Sequence, residues 1–283
     1  MPFAPRPNAK VGAALNQIPA KSFAPFAKRL PEAQAHVQAE MSGDKRIGQL
    51  RILSSVSTFF PPTYKQVRNS ERLFPVGDSV AYLSSDVRKI LFSGTWSADL
   101  SNAHLVIAAR LWGLDNLLGV IEETGSIWPY LLQKLQLPEE KKDEVKTAIY
   151  ATVYGKPEAQ LKGQITRELG KEVTDRYMAL PMTATLLEGR ERHMAGIRTC
   201  GGITDAYGNF CSLADTGKDD EDAALRTILS REVGSYEFRV MAAAAEVIHG
   251  SSGQAWIPLW LHDGIYVKFR DEKRAEGWQG KIT

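Results

Sequence analysis

Residues 100 to 195 carry little strand signal, and this long helical stretch is the feature that most limits how the chain can fold. Apolar residues recur there at helical spacing, segment after segment. Runs rich in β-favouring residues occur on either side of it, at 95–99, 197–213 and 255–269. The pattern predicts an α+β protein in which strand-forming segments lie on both sides of a helical block.

The helical block divides at recognisable start and stop residues. Pro138 suits the first turn of one helix, Gly155 and Gly170 suit helix ends, and Pro181 is expected to kink the last helix of the block. Helix 101–112 should bury Leu105, Ala108, Ala109 and Trp112 on one face. The predicted helices are 101–112, 115–123, 127–136, 138–155, 157–169 and 172–194, followed after the 197–213 hairpin by a long helix at 222–248.

The first ninety residues give weaker signals. Five prolines among residues 1–30 favour an extended arm over a packed helix, and 31–41 is a short helix with Pro31 near its start. Residues 51–94 are expected to be rich in loops, until Ser85 or Asp86 caps a short helix.

Composition excludes several classes of protein. The net charge of the 283 residues is only +2, so any basic surface must be local. The two cysteines, Cys200 and Cys211, have no second Cys or His pair at zinc-ligand spacing. No run of about eighteen apolar residues is present, and the start of the sequence lacks a signal-peptide core. We expect a cytoplasmic protein with reduced thiols and no membrane partner.

One predicted helix carries a stripe of four side chains at four-residue intervals. Lys142 and Lys146 lie near its start, and Tyr150 and Tyr154 lie near its end. A nucleoside triphosphate has the same polarity, because its phosphates favour ammonium groups and its base and sugar pack on flat rings. The alternative is an ordinary basic face of an amphipathic helix.

Two aspartates occupy positions suited to metal binding. Asp99 ends a short predicted strand just before a helix, and Asp263 lies at the tip of the predicted 255–269 hairpin. Their carboxylates could converge on two divalent metal ions about 3.5–4 Å apart, as in displacement at phosphorus. Oxygen ligands favour Mg²⁺, and Mn²⁺ can substitute. Taken singly, Asp99 could instead be a helix cap and Asp263 a turn residue.

Three segments containing these residues resemble the motifs of family A DNA polymerases. DLSNAHLVIAARLWG is similar to motif A, KKDEVKTAIYATVYG to motif B and LHDGIYVKF to motif C, in the family's order. Two weaker similarities lie between and before them: NSERLFPVGDSVAYL precedes motif A, and GGITDAYGNFCSL resembles the hairpin between motifs B and C. The resemblance covers about residues 65 to 270.

The resemblance implies a right-hand polymerase with an antiparallel palm, helical fingers and a reduced or absent thumb. The implied parts are an arm and short helix at 1–50, palm at 51–100, fingers at 101–195 and palm again at 196–283. With so little sequence for a thumb or exonuclease, extension is expected to be distributive and without proofreading. A replication protein would then supply a clamp or thumb function.

The resemblance also assigns roles to single residues. Asp99 and Asp263 would hold two magnesium ions, and Lys142, Lys146, Tyr150 and Tyr154 would bind the incoming nucleotide. The implied primer and template contacts are Arg72, His262, Gly234 and Ser235.

Several positions depart from the family pattern. His104 stands where a glutamate usually helps the tyrosine equivalent to Tyr154 to exclude the ribose 2′-hydroxyl, so His104 joins the nucleotide-binding set with altered sugar selection. Gly264 replaces the second carboxylate of motif C, and Trp128 replaces a phosphate-contacting histidine.

Two departures affect the stripe itself. Lys142 replaces an arginine, exchanging a planar fork for a point charge. Tyr150 replaces the commoner phenylalanine and resembles family members that accept dideoxynucleotides.

The sequence therefore predicts a template-dependent nucleotidyltransferase, a DNA polymerase encoded by a plasmid, phage or other mobile element. Its partners would be a DNA primer-template and deoxynucleoside triphosphates. Two alternatives remain open at this level: a primase or single-subunit RNA polymerase with relaxed sugar selection, and a non-catalytic replication or nucleic-acid-binding protein on a polymerase core.

Overall fold

The computed structural model of the chain describes residues 7–59, 61–67, 70–271, 273 and 275–277. The chain forms two compact units, the first from 1–100 and 238–283 and the second from 101–237. The division into arm, palm and fingers concerns function and stays a prediction. None of the described helices is long and apolar enough to cross a membrane.

Most of the described elements are helices, and the strands between them are short. The helices are α1 (Pro7–Asn16), α2 (Ala24–Ala27), α3 (Leu30–Glu40), α4 (Gly43–Phe59), α5 (Ser85–Leu91), α6 (Ala103–Trp112), α7 (Asp115–Thr124), α8 (Ile127–Leu135), α9 (Lys142–Val153), α10 (Glu158–Leu169), α11 (Lys171–Ala179), α12 (Pro181–Cys200) and α13 (Glu221–His249). The strands are β1 (Tyr64–Val67), β2 (Ser70–Pro75), β3 (Trp96–Asp99), β4 (Gly202–Thr204), β5 (Phe210–Ser212), β6 (Ala255–Trp260) and β7 (Gly264–Phe269).

A three-stranded antiparallel sheet lies at the centre of the first unit, in the order β3-β7-β6. The middle strand β7 is buried at five of its six positions, because side chains on both of its faces are covered. Helices α3, α4 and α5 supply much of the neighbouring core, including Val37, Leu53 and Val87. The 95–99 and 255–269 segments thus meet in one antiparallel sheet, whereas the predicted 197–213 hairpin forms a two-stranded sheet of its own.

The prediction of an extended arm for residues 1–30 is wrong within the part that the structure describes. Pro7 begins α1, whose Val11 and Leu15 are buried at 4% and 2% exposure. Pro19 and Pro25 lie at the starts of helical turns, where a missing N–H costs no hydrogen bond. Counting prolines misled the prediction because proline stops a helix only from its interior. Pro2 and Pro5 lie outside the described residues.

The prediction that residues 51–94 are rich in loops is also wrong for much of that range. Helix α4 continues to Phe59, and β1 and β2 form an antiparallel hairpin. Ser54 and Ser55, which favour loops, donate their hydroxyls to Leu50 O and Ile52 O within α4, each at 2.8 Å. The predicted helices at 31–41 and after Ser85 or Asp86 are confirmed, although the second begins at Ser85 itself, with Ser84 at the N-cap position.

The second unit follows the predicted helices closely. Helix α6 buries Leu105, Ala108, Ala109 and Trp112, the face expected from the sequence. Pro181 does more than kink its helix, since extended backbone at Leu180 separates α11 from α12. The predicted hairpin is present as β4 and β5, and α13 matches the predicted long helix at 222–248.

Candidate active site

The two predicted metal-binding aspartates lie at the ends of neighbouring strands in the first unit. Asp99 is the last residue of β3 and is paired with Gly264, the first residue of β7. Leu100 N donates to Asp263 O at 2.8 Å, which fixes the turn that carries Asp263 beside the end of β3. Both aspartates are exposed. The sheet register thus brings close together the backbones of two aspartates that are 164 positions apart in the sequence.

Gly264 leaves little room beside the Asp99 carboxylate. A methyl group at position 264 would lie 3.0 Å from Asp99 Oδ1 and 3.0 Å from Ala98 O. Both distances are shorter than ordinary contacts of carbon with oxygen. Gly264, which the sequence comparison predicted to replace a carboxylate, is therefore also the residue that lets β7 approach Asp99.

The donor set at this edge of the sheet suits a hard cation. Two exposed carboxylates on adjoining strand ends offer oxygen ligands, and magnesium takes its remaining ligands from water and phosphate oxygens. Among the described residues, no cluster of three or more His, Cys, Asp or Glu side chains is placed to hold a metal ion. Within the part of the chain that the structure describes, Asp99 and Asp263 are the candidate ligands for magnesium at this edge of the sheet.

The turn that carries Asp263 is supported by the β1–β2 hairpin. His262 packs its ring against Phe74 of β2 with 5.2 Å between ring centroids. Tyr64 of β1 accepts from Trp260 N at 2.8 Å and donates its hydroxyl to Trp260 O at 3.1 Å. Burial raises the pKa of Tyr64. Arg72, predicted to contact the primer-template, lies on β2 two residues before Phe74 and is half-buried.

The predicted stripe lies on α9 and just beyond its end, in the second unit. Lys142 is the first residue of α9 and forms a 2.9 Å ion pair with Glu139. Lys146 Nζ lies 5.7 Å from the centroid of the Tyr150 ring, a cation–π contact. Tyr150 and Tyr154 follow with 6.4 Å between their ring centroids. The predicted order of two cations followed by two rings is present.

Other aromatic side chains of the second unit surround the rings of the stripe. Trp128 of α8 contacts Tyr150 edge-on, with 6.1 Å between centroids and planes at 90°. His104 of α6 lies 5.5 Å from Tyr150 and 5.4 Å from Tyr154, again between centroids. Trp128 and His104, both named as departures from the family pattern, therefore contact the stripe.

His104 joins Tyr154 to a buried acid that the sequence did not single out. Its Nε2 lies 2.6 Å from Oε1 of Glu237 on α13, and its Nδ1 is hydrogen-bonded to the Tyr154 hydroxyl. The Glu237 side chain is only 1% exposed. A carboxylate among buried helix residues, two positions after Ser235, was the signal in the sequence that could have drawn attention to it.

A buried arginine closes the end of α9, next to Tyr154. Arg190 of α12 is 3% exposed and donates from Nη1 to Thr152 O at 3.1 Å and to Lys156 O at 3.0 Å. A cation at a helix C-terminus also interacts favourably with the helix dipole. The Thr152 hydroxyl lies 2.7 Å from that of Tyr177, whose pKa burial raises. The backbone beneath Tyr154 is thus fixed by polar contacts.

Gly234 and Ser235, predicted to contact the template, are buried in α13. The Ser235 hydroxyl donates to Glu232 O at 2.7 Å and accepts from Ala206 N at 3.0 Å. These bonds attach the turn of the β4–β5 hairpin to α13. A template contact for this pair stays a prediction.

Comparison with known proteins adds evidence for the fold. No family model and no curated protein matches the sequence. The structure is similar to that of the POL domain of Pol1 from M. smegmatis, solved in complex with DNA primer-template and dNTP. The TM-score is 0.63 at 16% sequence identity, over 98% of this chain and 65% of that one. The chain therefore has an α+β fold of the polymerase palm-and-fingers type, and spans 65% of the length of the polymerase domain that it resembles.

Proposed function

We propose that the protein is a nucleotidyltransferase, a DNA-directed DNA polymerase that extends a primer. The observation that carries this proposal is the register of β3 with β7, which places Asp99 beside the turn that holds Asp263 in a fold of the polymerase type. Two adjoining carboxylates at the end of a sheet, in this fold, are what a metal-dependent displacement at phosphorus needs.

In this proposal Asp99 and Asp263 would hold magnesium through their carboxylate oxygens. Magnesium held there would activate the 3′-hydroxyl of the primer and stabilise charge on the leaving pyrophosphate. His262 lies in the same turn as Asp263 and packs on Phe74 of β2, and it would contact the end of the primer. Arg72 on β2 would bind the backbone of the primer-template through its guanidinium group.

The stripe of the second unit supplies the nucleotide contacts. Lys142 and Lys146 would bind the triphosphate, and Lys142 would exchange its exposed pairing with Glu139 for phosphate oxygens. Tyr150 and Tyr154 would pack against the sugar and base. Two observations support this role. The four residues are spaced at four-residue intervals, and other aromatic rings cluster around Tyr150 and Tyr154.

A primer-extension assay with the full chain tests the proposal. The assay contains all four deoxynucleotides and, separately, all four ribonucleotides, with and without a primer, in Mg²⁺ and in Mn²⁺. We expect primer-dependent extension with deoxynucleotides. Extension with ribonucleotides in the absence of a primer would point to the primase alternative instead.

Three variants make the assay specific. Asp99→Asn and Asp263→Asn should lose extension by roughly a thousandfold or more, since each removes a metal-binding charge. Asp271→Asn, in an exposed residue just beyond the other end of β7, serves as the matched control and should extend normally. The proposal fails if either of the first two variants extends primers as well as the control does.

A further inference from the structure

We propose that Glu237 is a positioning residue that acts through His104 to fix the hydroxyl of Tyr154, and that these three side chains select the incoming nucleotide by its sugar. The proposal rests on the proposed polymerase function and deepens it. It names a residue, Glu237, that belongs to none of the three motifs and that lies on α13, 133 positions from His104.

The hydrogen bonds define which nitrogen of His104 carries the proton. A carboxylate only accepts, so Glu237 Oε1, 2.6 Å from His104 Nε2, requires the proton on Nε2. In the neutral imidazole, Nδ1 is then an acceptor, and the Tyr154 hydroxyl donates to it. Glu237 thereby determines that the hydroxyl of Tyr154 points at His104.

Burial makes this arrangement rigid. Glu237 is 1% exposed and His104 is 14% exposed, so water cannot readily replace either partner. The planes of the His104 and Tyr154 rings meet at 70°, and Arg190 fixes the backbone at the end of α9. With its hydroxyl bonded to His104, Tyr154 presents its ring as a wall of fixed position.

The place of Tyr154 on the stripe indicates which part of the nucleotide this wall meets. Tyr154 is eight residues beyond Lys146, a rise of about 12 Å along a helix. With the phosphates at the lysines, the sugar and base lie towards the two tyrosines. A fixed ring there leaves a defined space beside the sugar. The 2′-hydroxyl of a ribonucleotide is bulkier than the hydrogen of a deoxynucleotide, so the more firmly the ring is held, the more strongly the ribonucleotide is excluded.

The test is the ratio of kcat/KM for a deoxynucleotide to that for the matching ribonucleotide, measured by single-nucleotide extension with the full chain. Glu237→Leu, which removes the acceptor for His104 Nε2, should lower this ratio about tenfold, mainly through a higher kcat/KM for the ribonucleotide. His104→Leu should do the same. His104→Gln keeps one donor and one acceptor at the two ends of its amide and should retain most of the ratio.

The structure provides a matched control on the same helix. Glu232, five residues before Glu237, is also buried and accepts from His193 Nε2 at 2.7 Å, but neither residue contacts the stripe in the described hydrogen bonds. Glu232→Leu should leave the ratio unchanged. An equal loss in Glu232→Leu and Glu237→Leu would overturn the proposal, because the effect would then be one of general stability.

A double-mutant cycle covers the case in which Glu237→Leu does not fold. Tyr154→Phe removes the hydroxyl that is hydrogen-bonded to His104, so it should lower the ratio as His104→Leu does. The double variant, His104→Leu with Tyr154→Phe, should show no further loss. Additive losses would contradict the proposal.

One readout is independent of activity. ¹⁵N NMR of the His104 imidazole should show the proton on Nε2 and not on Nδ1 in the wild-type chain, and this preference should weaken in Glu237→Leu. A proton on Nδ1 in the wild type overturns the proposal. If the wild type incorporates no nucleotide, the polymerase function fails, whereas the NMR result still decides whether Glu237 fixes His104.

Discussion

Gly264 is the residue at which the smallest change should disturb the carboxylate site. The Ala98 carbonyl, 3.0 Å from a methyl group at position 264, belongs to the β3–β7 ladder and cannot move alone. A methyl group there must therefore displace the Asp99 carboxylate or separate the strands.

For Gly264→Ala we expect a several-fold lower rate of extension and a loss of about 1–3 kcal/mol in the free energy of unfolding. Extension kinetics and urea denaturation measure the two effects. Gly119→Ala is the control, since a methyl group at that helical position has nothing within 4 Å of it. A Gly264→Ala variant with wild-type rate and stability would show that the strands have room to spare.

Single residues differ in how far the sequence reveals them. Asp99 and Asp263 are predictable in position because each follows a local signal, a strand end or a hairpin tip. Glu237 and Arg190 are not, since their importance comes from partners 133 and 38 positions away. Local patterns give the position of a side chain on its own element, but not which distant group it will meet.

At the scale of elements, the end of α9 depends on Gly155. Its φ of +80° is in the left-handed region, and a methyl group there would lie 3.0 Å from Leu229 Cδ1 and 3.2 Å from Arg226 Cγ. Gly113, with φ of +67°, ends α6 in a similar conformation, but a methyl group there meets nothing within 4 Å. Substitutions at Gly155 and Gly113 therefore share the backbone strain, but only a substitution at Gly155 also adds a packing clash.

Gly113→Ala should cost about 1–2 kcal/mol from left-handed strain alone. Gly155→Ala should cost at least about 1 kcal/mol more, because it adds overpacking against buried Leu229. Urea denaturation of the two variants measures the difference. Equal losses would mean that the core around Leu229 adjusts without cost.

Helices were predictable where apolar periodicity and stop residues agree, as from α6 to α10. They were missed where a residue has two uses. Proline begins a helix as readily as it stops one, which hid α1. The Pro61-Pro62 pair, which lies just beyond Phe59, favours a longer loop and so hid α4. Deciding between the two uses requires knowing what the segment packs against, which lies elsewhere in the chain.

At the scale of the whole molecule, each unit contains a buried tyrosine whose pKa burial raises, Tyr64 in the first and Tyr177 in the second. In the unfolded chain these phenols titrate near their ordinary pKa of 10.0. Above that pH the unfolded state loses protons that the folded state keeps, so stability present below pH 10 is lost as the pH rises.

We expect the free energy of unfolding to fall above pH 10 by about 1.4 kcal/mol per pH unit for each of the two tyrosines. Urea denaturation at several alkaline pH values measures the slope. Tyr64→Phe and Tyr177→Phe should each reduce this slope by the contribution of one tyrosine. Tyr82→Phe is the control, since Tyr82 is 54% exposed, and it should leave the slope unchanged. A slope unchanged in both buried variants would contradict this assignment.

Although local patterns do not show which strands share a sheet, the strands on either side of Asp263 and the strand that ends at Asp99 followed from the sequence, since β-favouring runs and turn residues marked them. The grouping of elements into units did not, because it depends on contacts between segments far apart in the chain. Long helix α13 illustrates this: its limits were predictable, but its two ends belong to different units.

The most direct test of the central claim is template-directed incorporation of a single nucleotide by the full chain in Mg²⁺. Four primer-templates that differ only in the templating base are each offered all four deoxynucleotides in turn. We predict that only the complementary nucleotide is added efficiently, and that Asp263→Asn binds the primer-template but loses incorporation by roughly a thousandfold. Addition regardless of the templating base, or wild-type incorporation by Asp263→Asn, would contradict the account.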